Sequence, residues 1–122
     1  MAASQGNPVV HFEVGCKDLE KTTHFYTGLF GWTPVSVPMA SLLSTNSQEG
    51  IQGHITALGH EPFRYVTFYI LVQDVAECLQ RIEAAGGKKL VGPVPLPDKK
   101  LFAWFSDPEG NTIGLISAAP VV

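Results

Sequence analysis

A chain of 122 residues and 13.2 kDa has room for one hydrophobic core and excludes two full domains. Hydrophobic residues at 45% against 16% charged describe an ordinary globular chain that can bury a core without disulfide or metal staples. A net charge of −3 with no run of Lys and Arg excludes nucleic acid as an expected partner, because neutralising phosphates requires a basic face.

The opening MAASQGNP has neither a basic n-region nor an apolar h-region, and no 18-residue apolar run occurs, so no leader and no membrane partner are expected. Cys16 and Cys78 read as two free thiols, which points to a reducing, cytoplasmic setting. Residues 8–14, PVVHFEV, alternate in character and read as a strand. From Asp18 the period changes: Leu19, Thr22 or Thr23, Tyr26 and Leu29 or Phe30 share one helical stripe, with Asp18 as N-cap and Gly31 past the end. Three short β-type segments follow: WTPVSVP, MASLLST and IQGHITA.

The same grammar then returns. YVTFYILV reads as a strand, Asp74 caps VAECLQRIEAAGG, and KKLVGPV, LFAWFS and TIGLIS complete the half. Asp18 to Asp74, Gly31 to Gly87 and Phe12 to Phe68 are each 56 residues apart, so the strand-helix pairs superpose without a gap. The expectation is an α+β chain of two tandem βαβββ modules, about 8–57 and 64–118, within a single domain spanning 1–122. The segment VGPVPLPDKK, with three prolines, is expected to lie between the sixth and seventh strands and to be unable to pair as a central strand. Asp107-Pro108-Glu109-Gly110-Asn111 reads as a turn joining the last two strands.

VVHFEV followed by DLEK and FYTGLFGW, with DVAE, AAGGKKLVGP and FSDPEGNTIGLIS in the second half, resembles the vicinal oxygen chelate superfamily of glyoxalase I, bleomycin resistance proteins and extradiol dioxygenases. The GNTIGL ending is similar to the branch of uncharacterised proteins related to lactoylglutathione lyase. The resemblance implies curved mixed sheets around a cavity and a divalent metal held by one residue from each of four strands. Mapped onto this sequence, those positions fall on His11, on Gly53 or, with a one-residue slip, His54, on Thr67 and on Gly114. Such a set lacks the three or so protein donors a transition metal needs, so no metal and no cofactor are expected, unless Glu13 and His54 rescue a distorted site.

Strand alternation assigns the cavity side. If His11 faces it, so do Val9 and Glu13, then Tyr65, Thr67 and Tyr69, then Phe102 and Trp104, and last Thr112, Gly114 and Ile116. Val10, Phe12, Val14, Val66, Phe68, Ile70, Leu101, Ala103 and Phe105 are left for the core. The resulting ligand-binding candidates are His11, Glu13, Thr67, Tyr69, Phe102 and Trp104, a wall suited to a small, planar or amphipathic organic molecule. The expected function is sequestration of such a molecule. The alternative is a lyase- or isomerase-type enzyme with His11 and Glu13 as its acid/base pair, with or without a divalent metal. Open sheet edges and aromatic faces also lead us to expect a homodimer.

Overall fold

The structure, a computed structural model, describes residues 6–118; the MAASQ stretch on which part of the leader argument rests lies outside the described residues. Ten elements run in the order β1 (Val9–Gly15), α1 (Leu19–Phe30), β2 (Thr33–Val37), β3 (Ala40–Ser44), β4 (Gln52–Thr56), β5 (Tyr65–Val72), α2 (Val75–Ala84), β6 (Lys88–Pro95), β7 (Leu101–Ser106) and β8 (Thr112–Ser117). This is the α+β, twice βαβββ order that the internal repeat predicts. Among the described residues no helix is long and apolar enough to cross a membrane.

The helix ends form where the sequence places the caps. Asp18 and Asp74 take extended backbone, and each side chain accepts the third helical N–H, from Lys21 and Glu77 respectively, at 3.0 Å. Each such cap contributes about 1 kcal/mol. Gly31 closes α1 at φ 71°, where its N–H reaches Thr27 O, and Gly86 takes φ 102° just past α2.

The chain divides into two compact units, one from His11–Thr67 and one from Phe68 onward together with the chain up to Val10. In the first unit the strand order is β2-β3-β4-β1, with β1 and β4 parallel and the other neighbours antiparallel. In the second the order is β5-β8-β7-β6, with β5 and β8 parallel. Each core lies between sheet and helix. Cys16, Leu43 and Ile55 centre the first, with Phe12, Val14, Leu19, Tyr26 and Trp32 packed around them. The Trp32 and Tyr26 rings lie parallel with centroids 5.8 Å apart, so Trp32 belongs to the helix-to-strand corner. Val72, Val75, Leu79, Ala103 and Leu115 centre the second core, with Ile70, Leu101 and Phe105 against them.

Three expectations need correction. Val66 and Phe68 are 76% and 39% exposed rather than core, because α2 packs on β6, β7 and β8 and leaves the start of β5 uncovered. Leu29 and Phe30 are exposed as well; the packed stripe of α1 runs through Leu19 and Tyr26 and includes no fully buried residue. The proline-rich segment is not wholly a connection: β6 continues through Gly92, Pro93 and Pro95, pairing with β7 across register shifts between Lys89 and Val94. It is the outermost strand of its order, where a missing proline N–H breaks no second ladder. The Asp107–Asn111 turn forms as expected. Asp107 Oδ1 accepts the N–H groups of Glu109 and Asn111, and these bonds, led by the Asn111 side chain, hold its carboxyl below the ordinary range.

Candidate functional site

In the first unit the parallel register sets Glu13 opposite His54 and Phe12 opposite Gly53. Gly53 lies under the Phe12 ring, where a Cβ would come within 2.5 Å of the ring carbons. His54 therefore shares the face of His11 and Glu13, which decides between the two sequence alternatives in favour of the one-residue slip.

These side chains meet. His11 Nε2 is 2.6 Å from His54 Nδ1, and the ring centroids are 4.9 Å apart. His54 Nε2 lies 3.4 Å from Glu13 Oε1, while the Tyr65 hydroxyl donates to Glu13 Oε2. Glu13 is only 3% exposed, so its carboxylate depends on these partners. Burial lowers the His54 pKa from 6.5, with the Glu13 charge opposing and not overcoming the shift. His54 is thus neutral near pH 7. One proton arrangement suits these three contacts: His11 Nε2–H donates to His54 Nδ1, His54 Nε2–H points to Glu13, and the Tyr65 hydroxyl donates to the other carboxylate oxygen. Tyr65 reaches Glu13 because Gly15 lets its ring lie against β1; a Cβ at Gly15 would occupy the ring's place.

The second unit carries a different cluster on the corresponding face. The Trp104 indole N–H donates to the Tyr69 hydroxyl at 2.8 Å, and the Tyr69 and Phe102 rings meet edge-on at 6.5 Å. Gly114 stands opposite Tyr69 on β5 and opposite Trp104 on β7. A Cβ there would enter the Tyr69 ring. The six predicted contacts therefore distribute as follows: His11 and Glu13 lie in the polar network, Thr67 is buried at the end of the first unit, and Tyr69, Phe102 and Trp104 form the aromatic cluster of the second. Tyr65, expected on the cavity side, was missed as a partner of Glu13, and no spacing rule would have found it.

The four strand positions that hold a metal in the family do not make a fitting donor set here. Thr67 offers a hydroxyl, and Gly114 offers nothing and has no room for a side chain. His54 turns one nitrogen to His11 and the other to Glu13, so these two neighbours flank its ring instead of converging with it on a point. Among the described residues no group of three His, Cys, Asp or Glu side chains is arranged to hold a metal ion.

Several known proteins resemble this chain in sequence or fold. A protein of anthracycline biosynthesis from Streptomyces peucetius is 31% identical over an alignment covering 81% of this chain; the chain spans 42% of that relative's length. A hypothetical protein from Bacillus halodurans C-125 superposes with a TM-score of 0.72 at 13% identity, covering 97% of this chain and 99% of its own. The methylmalonyl-CoA epimerase of Mycobacterium tuberculosis superposes with a TM-score of 0.68 at 16% identity, covering 98% and 94%. The family model of the Glyoxalase/Bleomycin resistance protein/Dioxygenase superfamily matches residues 9–115, nearly the whole described chain, and the chain belongs to that superfamily.

Proposed function

We propose that this protein binds a small organic molecule at the face of His11, Glu13, His54 and Tyr65, without a metal at the four strand positions its family uses. The observation that carries the reading is the buried Glu13 carboxylate, tied to Tyr65 and His54 and through His54 to His11. A polar chain of this kind on a sheet face orients a ligand by a few directed hydrogen bonds. The relative named for anthracycline biosynthesis supports a role on small organic compounds.

A second reading, proton transfer by a lyase- or isomerase-type enzyme, is favoured by the neutral His54 between His11 and Glu13. In that reading the ligand's proton passes to His11, and the Glu13 carboxylate stabilises the charge that moves along the chain through His54. The structural likeness to an epimerase is consistent with that chemistry.

Thermal denaturation with methylmalonyl-CoA, an anthracycline aglycone and a panel of aromatic carbonyl compounds tests both readings. A ligand at about 100 times its Kd stabilises the fold by roughly 2.7 kcal/mol, and that gain should vanish in Glu13→Ala. Proton exchange from the ligand's carbon into heavy water, lost in His11→Ala, would favour the enzyme; a melting temperature indifferent to every compound would sink both.

A further inference from the structure

A cleft of about 530 Å³ opens where β1 ends and α1 begins, entirely within the first unit. Its lining includes Gly15, Lys17, Asp18, Lys21, Arg64 and Tyr65. Three of the chain's eight Lys and Arg residues therefore stand around one cleft in a protein of net charge −3. Arg64 is 43 residues from Lys21, so no run in the sequence announces the cluster.

The cations are available. Among the described residues none of the three is held in an ion pair; Lys17 rests its ammonium 4.4 Å above the Phe63 ring, which fixes the stem and leaves its charge unneutralised. The one acid of the lining, Asp18, already accepts the Lys21 N–H as the helix cap. That capping also occupies a helical N–H, so attraction for an anion comes from the side-chain charges and not from the helix end. Tyr65 belongs to both places: its side lines the cleft, and its hydroxyl donates to Glu13.

We propose that this cleft binds the carboxylate or phosphate group of the protein's small-molecule ligand, with Lys17, Lys21 and Arg64 as the anion contacts and Tyr65 as the wall shared with the His11–His54–Glu13 network. The proposal deepens the function given above and rests on that reading for the remainder of the ligand. Three cationic side chains lining one cleft attract an anion and can fix its end by charge-assisted hydrogen bonds, Arg64 being able to bind it through two parallel N–H groups. An anionic end held at the cleft brings the attached carbon skeleton towards Tyr65.

Amide NMR titrations of the full chain with inorganic phosphate and, separately, succinate test the cleft without reference to turnover. Saturable shifts at Gly15, Lys17 and Lys21 are expected, weakened at least about fivefold in the Lys17→Ala/Arg64→Ala double variant and restored in part by Arg64→Lys, and screened at about 0.5 M salt. Lys88→Ala/Lys89→Ala removes the same charge from β6 and should leave the affinity unchanged. Phosphate alone, or succinate alone, saturating the cleft would name the acid group. Shifts that fail to saturate with either anion, or that weaken equally in both double variants, overturn the proposal. The His11 network stands or falls on its own compounds: anion binding with no response to any of them would refute the network reading and keep the cleft.

Discussion

Equivalent positions of the two units carry opposite chemistry. Glu13 on β1 and Tyr69 on β5 are 56 residues apart and occupy the same place in the repeat; each faces a partner across a parallel strand pair, His54 for Glu13 and Gly114 for Tyr69. In the first unit a carboxylate meets an imidazole and a hydroxyl, while in the second an aromatic ring lies on a glycine and takes a hydrogen bond from an indole. The backbone frame is the same, so the side chains at one register position decide whether that face carries a hydrogen-bonded polar network or an aromatic cluster. Fold and chemistry are therefore separable in this chain, as they are across folds in general.

The largest way to break the comparison is to put a side chain on Gly114. Gly114→Val drives a branched side chain into the Tyr69 ring and should cost about 3 kcal/mol, measured by urea denaturation. In a Tyr69→Ala background the cost should shrink, since the ring that clashes is gone. Equal costs in both backgrounds would show that Gly114 is required for some reason other than the ring.

A smaller effect is expected from Glu13→Ala. It leaves the Tyr65 hydroxyl and the His54 ring without the carboxylate that both now face, in a setting where Glu13 is almost wholly buried. The cost should be about 2 kcal/mol, and Glu13→Gln, which can still accept from Tyr65, should recover part of it. Full stability in Glu13→Ala would mean that the network carries no folding energy.

Much of this frame was legible in the sequence because it is set by local rules. Asp18, Asp74 and Gly31 announce the helix ends by chemistry that acts within one turn, and the constant 56-residue offset reveals the repeat. Alternation also placed His11 and Glu13 on one face of β1 and Phe12 and Val14 under the helix. What stayed hidden depends on which residues stand side by side across strands distant in sequence. The choice between Gly53 and His54 is a one-residue register, and Phe12, by needing the space over Gly53, fixes it. Tyr65 meets Glu13 only because Gly15 has no Cβ. Val66 and Phe68 have the alternation of core residues, and their exposure follows from where α2 packs, which no strand pattern encodes.

The finest test of the contrast is pH. Burial holds the His54 pKa below 6.5 even beside Glu13, so between that lowered value and 6.5 the unfolded chain binds a proton that the folded chain refuses. Stability from this group is therefore complete above pH 6.5 and falls as pH drops through the window towards the folded pKa. Trp104 and Phe102 carry no ionisable group and add nothing to that slope. Denaturation midpoints between about pH 7 and 5 should decline in the wild type more steeply than in His54→Gln, which has no imidazole to protonate. The ring carbon resonances of His54 should titrate below 6.5 in the same samples. A His54 that titrates above 6.5 would mean that the Glu13 charge outweighs burial, reversing the slope and making His54 the charged member of the network at rest.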